Sequence, residues 1–263
     1  MCLITFSWSP GSSIPLRLAG NRDEFHQRPT APLAHWQEHT AVLGGRDLEA
    51  GGTWLAANSQ GVVAALTNVR DPALPTPVNA PSRGELVASV LQSDDIEAWL
   101  KEKERVSARR YAGFNLLVAT PHRMWHLHRG RHGVVLTSVP PGVHGLSNAT
   151  LNTPWPKLNL VRDALLNSTD EQWQSATQHA LHNSQAAPDE KLPDTGVGLA
   201  LERQLSAAFI VGEHYGTRAT TWLTLNQRGQ VTITEQRFGP LGRFEGEVTL
   251  ATPAQLTSHQ PQY

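Results

Sequence analysis

Cysteine is almost missing from this chain: among 263 residues it occurs once, at position 2. A single thiol has no partner in the chain, so no internal disulfide forms, and a reducing compartment, the cytoplasm, is expected. Charge excess is missing too, because 22 Lys and Arg balance 23 Asp and Glu to a formal net charge of -1. That balance leaves no field to draw the chain to nucleic acid or an anionic membrane, and small molecules or other proteins are the expected partners. No stretch reaches the roughly 18 consecutive apolar residues of a membrane-spanning helix. Residues 1–20 lack a basic segment followed by a long apolar core, so no secretory leader is expected. GGRDLEAGG has paired glycines but no G-x-x-x-x-G-K-[ST], and it leads into a strand pattern; tight turns are expected there, and no nucleotide cofactor. His126 and His128 share a strand face but run into Arg129-Gly130-Arg131-His132 in a turn, and His179 and His182 share a helix face with no third ligand at a recognisable spacing. A solvated hairpin is expected at the first pair, and no metal cofactor is predicted.

Turn formers are plentiful, with 21 Gly and 18 Pro, and short apolar runs between them read as strands. CLITFSW and PLRLAGNRD flank SPGSS as one hairpin, and TWLAA and VVAALTN flank Asn58-Ser59-Gln60-Gly61 as a second. RDPALPTPVNAPS, with four prolines, is expected to cross the surface as a long loop and to wall a site. Two helices are expected over about 82–107, opened by capping boxes at Ser82/Glu85 and Asp94/Glu97. FNLLVAT, RMWHLH, GVVLTS and VHGLSN return to strand. Helices follow from Thr153, with Pro154 in the first turn and a third box at Ser168/Glu171, and an exposed loop covers 184–197. SAAFIVG, RATTWLTLN and QVTITEQRF close the pattern as strands. No fixed-period repeat or long polar linker divides the chain, so residues 1–263 are read as one α+β domain with two packed sheets and helices outside.

The position of Cys2 is chemically pointed. Aminopeptidases remove an initiator methionine that precedes a small residue, and the freed α-amine of Cys2, with an ordinary pKa of about 7.7–8.0, could take the proton of its own thiol. The competing reading is a small core residue at the head of a strand. Candidate company for the thiol comes from several places. Arg22 and Asp23 follow an apolar run, Asn68 and Asn148 each end one as Leu-Thr-Asn and Leu-Ser-Asn, and Arg218 precedes another. Asparagine amides there can donate to a developing oxyanion, and they also form turns. Among eight tryptophans, Trp54 beside the double glycine and Trp155 near Asn148 could line a flat apolar pocket, although core packing accounts for most tryptophans.

The motifs MC, NRDEF with RP three residues on, GGRD, GGTWLAAN, LTN, SRGEL, YAGFNLL, GLSN followed by PWPK, and YGTR run from residue 1 to about 221. By these the chain is similar to the NRDE family, the transport and Golgi organisation protein 2 homologues. That resemblance implies a four-layer αββα sandwich of the N-terminal nucleophile hydrolase type. It also implies Cys2 as nucleophile, Asp23 orienting its amine, Asn68 and Asn148 at the oxyanion, and Arg218 completing the polar floor. Related enzymes present Gly-Arg-Asn before the aspartate, whereas this chain reads Gly20-Asn21-Arg22-Asp23, which leaves the direction of Arg22 open. At family level the resemblance implies haem trafficking, with Cys2, Trp54 and Trp155 as candidate contacts to haem, and a role in lipid or acyl-CoA metabolism has also been proposed. A cysteine amidohydrolase is the alternative that the residues themselves suggest.

Overall fold

In a computed structural model of the chain, which describes residues 2–253, two antiparallel sheets pack face to face. The first carries six strands in the order β10-β1-β2-β11-β12-β13: Gly142–Leu146, Cys2–Trp8, Leu16–Phe25, Tyr215–Leu225, Val231–Phe238 and Phe244–Ala251. The second runs β3 to β9 in chain order, through Thr30–His35, Val42–Asp47, Leu55–Asn58, Val63–Asn68, Phe114–Ala119, Met124–Gly130 and Gly133–Ser138. Strand alternation sends Ile4, Phe6 and Trp8 of β1, Leu16 and Leu18 of β2, and Leu55, Ala57, Val63 and Ala65 of the second sheet into one inter-sheet core. Helices α3 (Pro156–Leu166) and α4 (Trp173–Leu181) cover the outer face of the first sheet, where Leu158, Val161 and Leu181 meet Leu3, Ala19 and Trp222. Helices α1 (Gly84–Val90) and α2 (Ile96–Glu102) cover the second through Leu86, Val87 and Leu100. The architecture is therefore the four-layer αββα sandwich.

Both expected hairpins form, and no helix among the described residues is long and apolar enough to cross a membrane. Local chemistry departs from expectation in several places. None of the three capping boxes closes. Glu85 accepts from the Tyr111 hydroxyl at 3.0 Å instead of reaching back to Ser82, and Asp95, not Asp94, caps α2 by accepting from Ala98 N at 2.9 Å. Ser168 donates to Leu165 O at 2.7 Å, which serves the end of α3 rather than the start of α4. Pro156, not Pro154, takes the first turn of α3. SAAFIVG, buried only through Ile210, is not a strand, because Phe209 N and Thr217 N pair with Asn183 O and with Ile210 O across a loop. After the 184–197 loop, whose only helical turn is Asp189–Lys191, a short helix α5 (Leu199–Leu205) forms. The strands β3, which accommodates Pro32 beside a register shift, and β13 lie at sheet edges, where pattern is weakest.

His126 and His128 do not lie on a solvated hairpin. They face the inter-sheet space, and both ring nitrogens, His126 Nε2 at 3.0 Å and His128 Nδ1 at 2.7 Å, donate to Asn115 Oδ1. Asn115 Nδ2 in turn donates to Thr67 Oγ1 and Ala149 O, at 3.1 and 2.7 Å. Among the described residues no group of three or more metal-ligating side chains occurs, and each imidazole has a neutral hydrogen-bonding role.

Burial pushes the His126 ring down to about 4 and lowers His128 as well. An unfolded histidine near 6.5 binds a proton that the folded one refuses, so this stabilisation is present above pH 6.5 and lost as pH falls toward 4. Urea unfolding at pH 7 and at pH 4.5 should show wild type losing about 2–3 kcal/mol more than His126→Gln over that interval; equal losses would contradict the assignment. Gly61, at the β5/β6 turn, has φ +79, and a Cβ there would lie 2.6 Å from Gly229 Cα. Gly61→Ala is expected to lower the unfolding free energy by about 2 kcal/mol with an unchanged denaturant slope.

Candidate functional site

One end of the sandwich is open. There β1 begins, β2, β6 and β12 end, and the proline-rich loop 69–83 passes over, leaving a cavity of about 540 Å3 that Thr76, Ala80 and Pro81 of that loop help to wall. Cys2, Arg22, Asp23, Asn68, Arg218 and Trp54 all border it.

Register explains how these side chains divide. Cys2 pairs with Arg22 across β1 and β2, so both project to the inter-sheet side, in line with Ile4, Phe6 and Trp8. The order Asn21-Arg22 therefore turns the arginine inward. Asn21, on the other face, is a structural clamp: its Nδ2 donates to Leu181 O and Ala208 O, both at 2.8 Å, and its Oδ1 accepts from Thr220 Oγ1. Asp23 shares that outer face, only 1% exposed, and its Oδ1 accepts from Thr217 Oγ1 at 2.8 Å. Burial pushes the Asp23 carboxyl above its ordinary range, against the pull of Lys157, the Thr217 hydrogen bond and Arg22. Lys157, buried in α3 with Nζ on Leu205 O at 2.8 Å, is lowered by the same desolvation and held up by Asp23.

Cys2 is 7% exposed, and burial pushes its thiol up to about 11 against the attraction of Arg22. With the peptide bond to Met1 intact it is a neutral thiol at pH 7.

The two asparagines converge but differ in employment. Asn68 borders the cavity, whereas Asn148 is fully buried, outside the lining, and its Nδ2 donates to Asn68 O at 2.9 Å. Asn148 thus positions Asn68. Ser147, beside it, donates to Cys2 O at 3.3 Å, which ties the head of β1 to the same corner. Arg218 sits in a β-bulge that shifts the β2/β11 register between Thr217 and Ala219. Its Nη1 donates to the carbonyls of Phe25, His26 and Arg28 and its Nη2 to Thr30 Oγ1, so it braces the turn from β2 to β3 that forms one cavity wall. Trp54 lies on the wall of the cavity. Trp155 does not: it belongs to the core between the first sheet and α3, with the Arg70 guanidinium 4.7 Å above its ring.

Sequence reasoning missed Arg83, Glu235, Arg237 and Phe238, which also line the cavity. Arg83 was hidden inside a stretch that reads as a capping box. Glu235 accepts from Leu33 N at 2.9 Å, and burial raises its carboxyl toward the neutral form; nothing in its strand pattern marks it out.

Residues 1–240 match the family model described as Transport and Golgi organisation 2. The bovine Transport and Golgi organization protein 2 homolog is 36% identical over 262 residues, covering 90% of this chain and 92% of that one. The human homolog is 35% identical with the same coverage. Among solved structures, a mutant of the conjugated bile acid hydrolase from Clostridium perfringens superposes with a TM-score of 0.50 at 10% identity, covering 97% of this chain and 92% of that chain. That likeness is one of fold, the N-terminal nucleophile hydrolase sandwich, and by sequence the chain belongs to the Transport and Golgi organisation 2 family.

Proposed function

We propose that this protein binds and carries a small hydrophobic molecule in the Cys2 cavity, with haem as the first candidate cargo. The observation that supports this reading is the cavity itself, about 540 Å3 in volume, with Trp54, Leu66 and Phe238 offering apolar surface beside polar groups. Trp54 is the one tryptophan on its wall, and a flat macrocycle would stack there. Cys2 is the lining residue with a soft iron ligand, but as a neutral thiol it adds little at pH 7. Affinity on this reading comes from the walls.

Haemin titration followed at the Soret band tests it. Wild type should bind saturably. Trp54→Ala should raise Kd about tenfold, the equivalent of roughly 1.4 kcal/mol of lost contact, and Cys2→Ala should leave Kd within about threefold. Absence of saturable binding by wild type would dispose of haem as cargo, and a loss of thirtyfold or more in Cys2→Ala would put the sulfur on the iron.

A second reading, a cysteine amidohydrolase, is favoured by one observation: Cys2 heads a strand at a cavity that also holds Asn68, on a sandwich like that of the bile acid hydrolase. In that chemistry the thiolate bonds to the amide carbonyl carbon, the oxyanion collapses with cleavage of the C–N bond, the amine leaves with a proton, and water hydrolyses the thioester. The proton acceptor is the α-amine of Cys2, which exists only after Met1 is removed. Protein beginning at Cys2 should turn over a linear N-acyl amide, and Cys2→Ala should abolish turnover with the fold intact. Intact mass showing Met1 retained in protein from its own cells would eliminate this reading.

A further inference from the structure

We propose that the Cys2 cavity contains an oxyanion-binding subsite centred on Arg83, which selects ligands that carry a carboxylate or phosphate group. The inference rests on the reading of this cavity as a small-molecule site and adds the chemistry of the ligand's polar end.

Arg83 immediately precedes α1, and its guanidinium is fixed at one corner only: Nη1 donates to Gly113 O at 3.1 Å. Among the described residues, no carboxylate lies within ion-pair distance of it, and Nε and Nη2 make no bond to protein. The backbone beneath it is held rigidly. Thr53 N donates to Gly84 O at 3.3 Å, and the chain at Gly52 runs so close that a Cβ there would lie 2.4 Å from Gly84 C. This is a donor pair held in place without an acceptor.

The surrounding charges reinforce it. Arg218 and Arg237 also border the cavity, neither with a carboxylate in ion-pair range among the described residues, and each has a buried Nε without a hydrogen-bond partner. Arg28 and Arg46, on the same wall, are by contrast committed to Asp47 and Glu49 and to Glu38. Of the five lining carboxylates, Asp47 is committed to Arg28, Glu24 faces Arg22 at 3.7 Å, Glu245 pairs with Arg243 at 3.0 Å, and burial drives Asp23 and Glu235 toward their neutral forms, against six lining arginines. The cavity is left electropositive. A part-buried guanidinium with two unused donor positions is completed by an acceptor, and its planar fork matches the paired oxygens of a carboxylate or phosphate. Burial lowers the pKa of the Arg83 guanidinium, and Arg83 lies close enough to Cys2 and Glu24 for negative charge on either to oppose that shift. A bound anion would thus lie near the only thiol in the chain.

That thiol supplies the test, because thiol alkylation is confined to one residue and Cys2→Ala gives the background from other nucleophiles. Rates of Cys2 labelling by iodoacetate, an anion, and iodoacetamide, its neutral analogue, are measured by intact mass at pH 9, and the ratio is compared with that of a short cysteine peptide. The expected ratio for the folded protein is at least fivefold above the peptide. It should fall to within twofold of the peptide in Arg83→Met and be largely retained in Arg83→Lys. A wild-type ratio no higher than the peptide's, or one unchanged in a folded Arg83→Met, overturns the proposal. Should Arg83→Met fail to fold, the same labelling of wild type is repeated with inorganic phosphate or decanoate at constant ionic strength. Protection by phosphate supports a phosphate-bearing ligand and protection by decanoate a carboxylate on an apolar tail; protection by neither overturns the subsite. The readout is independent of haem: charge-selective labelling without haemin binding removes the cargo assignment and leaves the subsite, and the reverse removes the subsite alone.

Discussion

The rest of the site depends on how the two sheets are joined at their open end. Over most of their length they are held by interdigitated apolar side chains, but at the cavity that core gives way to a polar seam. Thr67 Oγ1 donates to Ser147 O at 2.5 Å, Asn148 Nδ2 to Asn68 O at 2.9 Å and Arg70 N to Asn148 O at 2.7 Å, each bond linking the end of β6 in one sheet to the segment that follows β10 of the other. Apolar contacts tolerate small slips, whereas buried hydrogen bonds do not, since a broken one leaves both partners desolvated. The seam therefore fixes the separation of the sheets at the point where Cys2 and Asn68 face the same space.

This arrangement sets the state of the thiol. A cysteine at the head of a central strand gains its placement from burial, and burial is also what holds its proton. The carrier and hydrolase readings are two responses to that one conflict. A carrier has no need of a thiolate and uses the walls; a hydrolase requires a base that only a new N-terminus supplies. Both use the same cavity, which Asp23 borders with a buried carboxyl that Lys157 of α3 influences from the helix side of the sheet.

Much of this was readable from residue order. Alternation in CLITFSW and the run before NRD fixes a hairpin and, with it, the side on which Cys2 lies; the prolines of 69–83 mark a loop, and that loop does wall the cavity. The asparagines of LTN and GLSN were recognisable as strand ends that meet. Periodicity does not show how a side chain is spent once strands from distant parts of the chain converge. Asn148 and Trp155 sit near the site in sequence, yet one is consumed by the Asn68 carbonyl and the other faces the helices. His126 and His128 alternate like a solvated strand because a polar core looks the same in sequence as a polar surface, and only Asn115, on the neighbouring strand, tells them apart. Arg83 stayed hidden because helix-start patterns are assigned from local spacing, whereas its partner, the Gly113 carbonyl, comes from the approach to β7.

The direction of the strands has a practical corollary. Cys2 opens β1 at the cavity, while β13, antiparallel to β12, ends at Ala251 near Val231, at the opposite end of the sandwich. Any peptide fused ahead of Cys2 emerges where ligands enter and competes with them for room. A purification handle or fluorescent reporter placed after β13 leaves that entrance clear, so the choice of terminus decides whether a fusion protein reports on the site or obstructs it.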